Sequence, residues 1–390
     1  MPVPIKVNLR GLLVRRTATA LTIGGVGLVV MTFVIVWGMS AGVERVFTVS
    51  GDPANLMVMR AGSNAETTSW IPRDQFKLLE ALDGIDKDPQ GKPVISGELI
   101  ILVNQERRSS SETANLMVRG VTPMAPSLRP NMRLVSGRMF QPGLHEAIAS
   151  RGVAKRFKGC ALGETLMMRK TPYKIVGTFE APETPFDSEV WTDATDLGDT
   201  EKRPGYSSAL LRVSDKIARA KVASTVKGDE QLSLEVMDQP SYFALQTQSA
   251  ALIKGLGRLM TVFLAIGACF SAANTMYASV LNRSREIGTL RALGFSRTSV
   301  LFSYIVEAVV LASISGVVGL ILGWMVLTFF SGHMGTSNWV TFSEVVFTLA
   351  LTPGIVVTAM VVSAVIGAVG GLLPAMRAAR MPIVEAIRAI

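Results

Sequence analysis

Four stretches of the chain carry no charged residue: 17–43, 259–282, 308–343 and 345–376. An α-helix rises about 1.5 Å per residue and a bilayer's hydrocarbon core is about 30 Å thick, so about 20 apolar residues suffice to cross it. The pattern predicts four membrane-spanning helices, at 17–43, 259–282, 300–330 and 345–376, with short polar segments at 331–344 and 377–390. Glycines and polar residues at 331–338 end the third span. Pro353 should kink or restart the fourth. A cleaved signal peptide is the competing reading of the first stretch, because Lys6, Arg10, Arg15 and Arg16 precede it. Its apolar run is too long for that, and no small-residue cleavage site follows Trp37.

Between the first two spans, residues 44–258 alternate short periods of two and of about 3.6. Strands are expected at 56–60, 98–104, 115–121, 147–150, 165–169, 173–179, 208–213 and 232–237, with helices at 71–82, 151–157 and 214–226. The insert reads as an α+β domain large enough to bury its own core. A further helix, 241–258 with Ser241 as N-cap, should run into the second span as a stiff stalk.

Small residues recur every fourth position at Gly38/Gly42, Gly267/Ser271/Thr275/Ser279, Ser315/Gly319/Gly323 and Ser363/Gly367/Gly371. Such stripes let helix backbones approach closely in lipid, within one bundle or across a dimer.

Composition agrees with a membrane protein: 390 residues, with a mean hydropathy of +0.38. The net charge of +9 arises mostly beside the spans, so it implies no nucleic-acid binding. Lys and Arg flank the first span on its N-terminal side, fill 283–297 and follow the fourth span, which places those segments and both termini in the cytoplasm and the insert outside. Two Cys and two His are too few for a zinc, haem or iron–sulfur site within one chain. Neither a phosphate loop, a nucleophile elbow nor a dinucleotide fingerprint is present. A membrane-anchored hydrolase would have to use Ser214 with Lys216, which read as a helix start, or His145, which has no evident partner. The chain is therefore expected to be non-catalytic. Residues 151–174 hold seven bases against Glu164, and 180–201 hold eight acids and no base. That asymmetry fits a solvated surface or a docking face.

The segment between the second and third spans is the most informative. Arg283 and Glu286 can pair at i,i+3, Ile287, Leu290 and Leu293 share a face, and Gly294 is placed to end a short helix. This amphipathic peg could lie on anionic lipid or dock in a groove of another protein. Glu307 is an ionisable residue inside a span, which points to a function; hydrogen bonding the span to the peg suits its position better than proton relay.

The run Arg283, Glu286, Ile287, Gly288, Leu290, Arg291, Ala292, Gly294, then Glu307, then the C-terminal run from Pro374 through Ala378 and Ala379 to Arg388, resembles the membrane subunits of MacB-like ATP-binding-cassette transporters with an FtsX-like permease domain. Asn8-Leu9-Arg10, Leu21-Thr22-Ile23, Val118-Arg119-Gly120-Val121, Ser136-Gly137-Arg138-Met139-Phe140 and Ile175-Val176-Gly177 are similar to that family's first helix and periplasmic core. The resemblance implies a multi-pass protein of the inner membrane with a periplasmic domain between its first and second spans. It also implies a dimer with a second permease copy, and a separate ATPase that binds ATP and magnesium. The coupling helix offered to it would comprise Arg283, Arg285, Glu286, Ile287, Gly288, Leu290, Arg291, Ala292, Gly294 and Phe295. A periplasmic adaptor and an outer-membrane factor are further implied partners. The expected function is transmission of ATP-driven motion to the periplasmic domain for export or extraction of a lipoprotein, peptide or small molecule. An FtsX-like alternative would activate an external cell-wall hydrolase.

Overall fold

The computed structural model describes residues 16–229, 232–246, 248–330, 335–337, 344–346 and 351–382. Contacts divide the chain into two compact units, Met1–Ala41 with Ala251–Ser331 and Leu349–Ile390, and Gly42–Ala250 with Gly332–Thr348.

The helical unit is built from α1 (Arg16–Val49), which continues into the second unit, α7 (Gln248–Asn282), α8 (Ser284–Ala292), α9 (Arg297–Phe330) and α10 (Pro353–Arg380). Within α1, α7, α9 and α10, the segments Thr19–Phe47, Lys254–Asn282, Arg297–Phe329 and Pro353–Arg380 are long and apolar enough to cross a membrane. The last helix begins at Pro353, not at Val345. Proline lacks the N–H that a helix interior needs but suits the first turn, and the Thr352 side chain caps it by accepting from Ile355 N. Val345 instead lies in a small strand, β14 (Glu344–Val346), paired with β13 (Gly335–Ser337).

The small residues sit where helices meet. A Cβ on Gly319 would strike Gly27 O and Val30 on α1, and one on Gly367 would lie 2.6 Å from Ala312 Cβ and 2.7 Å from Ala308 O on α9. Thr22 donates to Thr275 across 2.7 Å, and Ser363 hydrogen-bonds to Ala312 O. Gly267 departs from the expectation: nothing lies within 4 Å of the Cβ it lacks. Gly316, off the predicted stripe, packs directly on Ser363.

The second unit, the head, is organised on one ten-stranded sheet in the order β12-β1-β11-β3-β4-β9-β6-β8-β5, with β7 also pairing β8. The strands are β1 (Asn55–Arg60), β3 (Ile95–Glu106), β4 (Thr113–Val121), β5 (Arg133–Gly137), β6 (Glu146–Ser150), β7 (Thr165–Met168), β8 (Thr171–Glu180), β9 (Glu189–Asp193), β11 (Ser208–Arg212) and β12 (Leu234–Asp238), while β2 (Ile71–Pro72) and β10 (Gly205–Tyr206) pair separately. Helices α2 (Arg73–Glu80) and α5 (Lys216–Gly228) share a core with β1, β11 and β12. Helices α3 (Arg151–Arg156) and α4 (Ala194–Glu201) share a second core with β3, β4, β6, β7, β8 and β9. Asp193 caps α4 and Asp215 caps α5, each accepting two backbone N–H groups.

Several predicted elements shift. Ile71 and Pro72 form β2 and do not open the helix, because they pair with Gly205 and Tyr206. The stalk helix α6 (Gln239–Gln246) starts two residues before Ser241, with Pro240 in its first turn. Residue 247, at which it would join α7, is outside the described set, as are residues 1–15 and 383–390. The strand β9, the helix α4 and the exposed edge strand β5 are additions to the predicted set. The acidic run 180–201 hides β9 because Glu189 and Asp193 are buried there, against the expectation of a solvated charged face.

Candidate functional site

In α8 the structure places the peg residues on two sides. Ile287 is buried in a cluster with Met276, Val280, Val300, Tyr304, Ala308, Ala375 and Ala378, and Gly288 is buried beside it. Leu290 and Arg291 are half-buried, as is Phe295. Arg285, Glu286, Ala292 and Gly294 face outward. Leu293 departs from the expected apolar face, since it follows the last helical residue and is 73% exposed. Gly294, at φ +94°, ends the helix as predicted; Phe295 N bonds back to Leu290 O at 3.2 Å and Gly294 N to Arg291 O at 3.1 Å. A left-handed residue closing the helix with a six-to-one bond needs glycine for its positive φ.

One polar contact braces this short helix internally and two tie it to the long ones. Arg283 donates from Nε to Glu286 at 2.8 Å and from Nη1 to Glu307 at 3.3 Å. Arg291 Nη1 donates to Ala379 O on α10 at 2.7 Å. The Glu307 side chain is 3% exposed, whereas that of Glu286 is 62% exposed. Arg283 therefore links an outward carboxylate on α8 to an inward one on α9.

The head contains a buried ionic network that the strand pattern did not foretell. Arg119 on β4 bonds Glu189 at 2.7 Å, Glu66 at 2.9 Å and Glu98 at 2.6 Å, and Arg129 bonds Glu98 at 2.6 and 2.7 Å. Ser208 Oγ and Trp191 Nε1 donate to Glu66 and Glu189. Burial pushes the Glu98 carboxyl up, and Arg129 and Arg119 more than offset it, holding it below the usual range. Burial likewise opposes charge on Arg119, and the carboxylates override it. The only sequence signal was a charged residue in the middle of an otherwise apolar run, Met117 to Val121.

The basic and acidic runs of the head pair with each other. Arg151 reaches Glu180, and Arg169 reaches Glu201 at 2.7 Å. These two pairs join the runs within the fold, while Lys155, Lys170 and Lys174 stay exposed. Cys160 is buried, and burial pushes its thiol up to about 12, so it is a core residue and not a nucleophile. Among the described residues no group of three His, Cys, Asp or Glu side chains is placed to hold a metal ion.

Comparison with known proteins identifies two family models along the chain. The MacB-like periplasmic core domain matches residues 17–228, and the FtsX-like permease C-terminal domain matches residues 258–383. The uncharacterized ABC transporter permease YknZ of Bacillus subtilis (strain 168) is 25% identical over 411 residues, covering 98% of each chain. The macrolide export ATP-binding/permease protein MacB of Bdellovibrio bacteriovorus is 24% identical, and the match covers 93% of this chain but 57% of that one. A probable syringafactin export ATP-binding/permease protein, SyfD of Pseudomonas syringae pv. tomato, is also 24% identical, again with 57% of its length covered. The chain thus spans a little over half of these two relatives. A crystal structure of the extracellular domain of YknZ is similar at a TM-score of 0.36 and 14% identity, over 47% of this chain and 100% of that one. The chain belongs to the ABC transporter permeases of the MacB and FtsX-like type.

Proposed function

We propose that this permease transmits the motion of a separate, ATP-binding ABC subunit through α8 to the head, in the service of exporting or extracting a substrate from the membrane or the space outside it. The observation that carries the proposal is the Arg283 fork, which joins the exposed Glu286 to Glu307 inside α9. A push on α8 would be passed to α9 through that pair and through Ile287, and to α10 through Arg291. In this reading Arg285, Glu286, Ala292 and Gly294, with Leu293, meet the ATPase. Ile287 and Gly288, facing inward, anchor the lever. ATP and magnesium are held by the partner, and the permease works as a dimer in the cytoplasmic membrane with its termini and α8 inside and its head outside. A periplasmic adaptor and an outer-membrane factor would complete an export route. The names of MacB and SyfD, which couple ATP binding, permease and export, support that assignment.

Co-purification with the cognate ATPase tests it. Glu286→Lys and Leu293→Asp, both on the exposed side, should abolish capture and leave the permease folded; undiminished capture by both overturns the coupling role. A second reading, favoured by the FtsX-like match over residues 258–383, is a signalling subunit whose head activates an external cell-wall hydrolase. Crosslinking from the head separates the two, since export predicts a transported substrate or adaptor and signalling predicts a bound hydrolase.

A further inference from the structure

The head holds a cavity of about 200 Å³ between residues 50–52, the turn 128–132 and the loop that carries Ala181, Thr184 and Phe186. Its surroundings form a joint. Gln239, the first residue of α6, accepts at Oε1 from Asp52 N at 3.1 Å and from Asn55 Nδ2 at 3.0 Å. One side chain therefore ties the segment that leaves α1 to the helix that leads toward α7. The packing is tight, because a Cβ on Gly51 would lie 2.6 Å from Pro240 Cα. The opposite wall is tied to both as well. Glu183 pairs with Arg45 near the end of α1 at 3.1 Å, and the Phe186 ring meets Phe243 of α6 edge-on at 6.2 Å.

The chemistry of the lining selects an occupant. The charges of its two ionised residues are already paired, Asp52 with Arg212 at 3.0 Å and Arg129 with Glu98 at 2.6 Å, while the buried Arg129 Nε has no hydrogen-bond partner among the described residues and remains a donor for a carbonyl oxygen. A charged ligand would lose water and find no counter-ion. Ser50 and Thr184 donate their hydroxyl protons to Val46 O and Ala181 O, which leaves both oxygens as acceptors for an incoming N–H. The Asn131 side chain is exposed and makes no hydrogen bond to the described residues, so its amide offers a donor and an acceptor. Leu128, Met132 and Phe186 supply apolar surface. Small-molecule pockets usually measure about 300–1,000 Å³, so this one takes a single apolar side chain with its adjoining amide and not a large molecule.

We propose that the cavity binds an uncharged, amide-bearing apolar group, such as an apolar residue within a peptide, and that occupancy props the loop at Phe186 against the joint. Only the second half of this inference rests on the export reading.

The test uses the full chain in nanodiscs of phosphatidylethanolamine and phosphatidylglycerol, with saturation-transfer NMR of N-acetyl-leucinamide. N-acetyl-leucine, which differs by a carboxylate, is the control. The amide should bind saturably and at least tenfold more tightly than the acid. Asn131→Ala should weaken it about fivefold by removing one hydrogen-bonding side chain, and Met132→Trp, which fills the space, should abolish it. No saturable signal, equal affinity for the acid, or full binding by both variants overturns the site. Binding that leaves ATP hydrolysis by the assembled complex unchanged overturns the link to the coupling mechanism and leaves the site standing.

Discussion

Arg283 Nη1 and Glu307 Oε2 lie 3.3 Å apart although they belong to different helical segments, 24 positions apart in the chain. The Glu307 side chain is 3% exposed and that of Arg283 10% exposed, so neither charge can simply rotate into water when the other is removed. Arg283→Ala removes the guanidinium from a buried carboxylate, and breaking a buried ion pair from one side costs about 3–5 kcal/mol in comparable settings. Transport or signalling per ATP hydrolysed should fall severalfold while the ATPase still binds, because the exposed side of α8 is untouched. Glu307→Gln, which keeps the shape and a hydrogen bond, should be milder. Equal ATP-coupled output from Arg283→Ala and the wild type would count against the lever.

Arg119 in the head faces three carboxylates. Arg119→Met leaves all three buried without its guanidinium: Glu98 keeps Arg129, whereas Glu66 keeps only the neutral donors Ser208 and Tyr242, and Glu189 only Trp191, among the hydrogen bonds the structure shows. The expected loss is about 3–5 kcal/mol, or roughly 10 °C in the unfolding midpoint of a domain this size, measured by thermal unfolding of the full chain in detergent.

Glu98 sets an acid limit on the head. Its folded carboxyl lies below the ordinary value because the two guanidiniums outweigh the effect of burial. The sign follows from linkage: the stabilisation is complete above the unfolded value, about 4.3, and is lost as pH falls through the lower folded value. The unfolding midpoint should therefore drop below about pH 4.3, and Glu98→Gln, less stable at neutral pH, should show a shallower decline. A steeper decline in the variant would contradict this account.

The glycines of the helical unit should separate into two classes. Gly367→Val places a side chain against Ala312 and Ala308 O and should cost more than about 1 kcal/mol by overpacking. Gly267→Val meets open space and should leave the thermal midpoint of the monomer within about 1 °C. Thermal unfolding of the two variants side by side checks the contrast.

Much of this architecture is legible in the residue pattern, for local reasons. Uncharged runs of more than 20 residues have few folded solutions outside a membrane-spanning helix. Gly294 ends α8 because a positive φ is needed there. The pairing of Arg283 with Glu286 follows from helix spacing alone. Elements whose identity depends on distant neighbours were not legible: β9 reads as an acidic surface run until Arg119 is placed beside Glu189, and Ile71 reads as a helix start until Gly205 and Tyr206 pair with its strand.

The amino-acid order by itself determined the four apolar helices, the insertion of a mixed sheet domain after the first of them, and the short basic peg between the second and third, because each is written in consecutive residues. Only the tertiary structure decided which charges are buried and with whom. It set Glu307 beside Arg283 and Arg119 among three glutamates, and it gathered residues 50–52, 128–132 and 181–186 around one cavity. Such placements depend on which strands and helices become neighbours, and a chain folded through long-range contacts does not record that choice in any single stretch of its sequence.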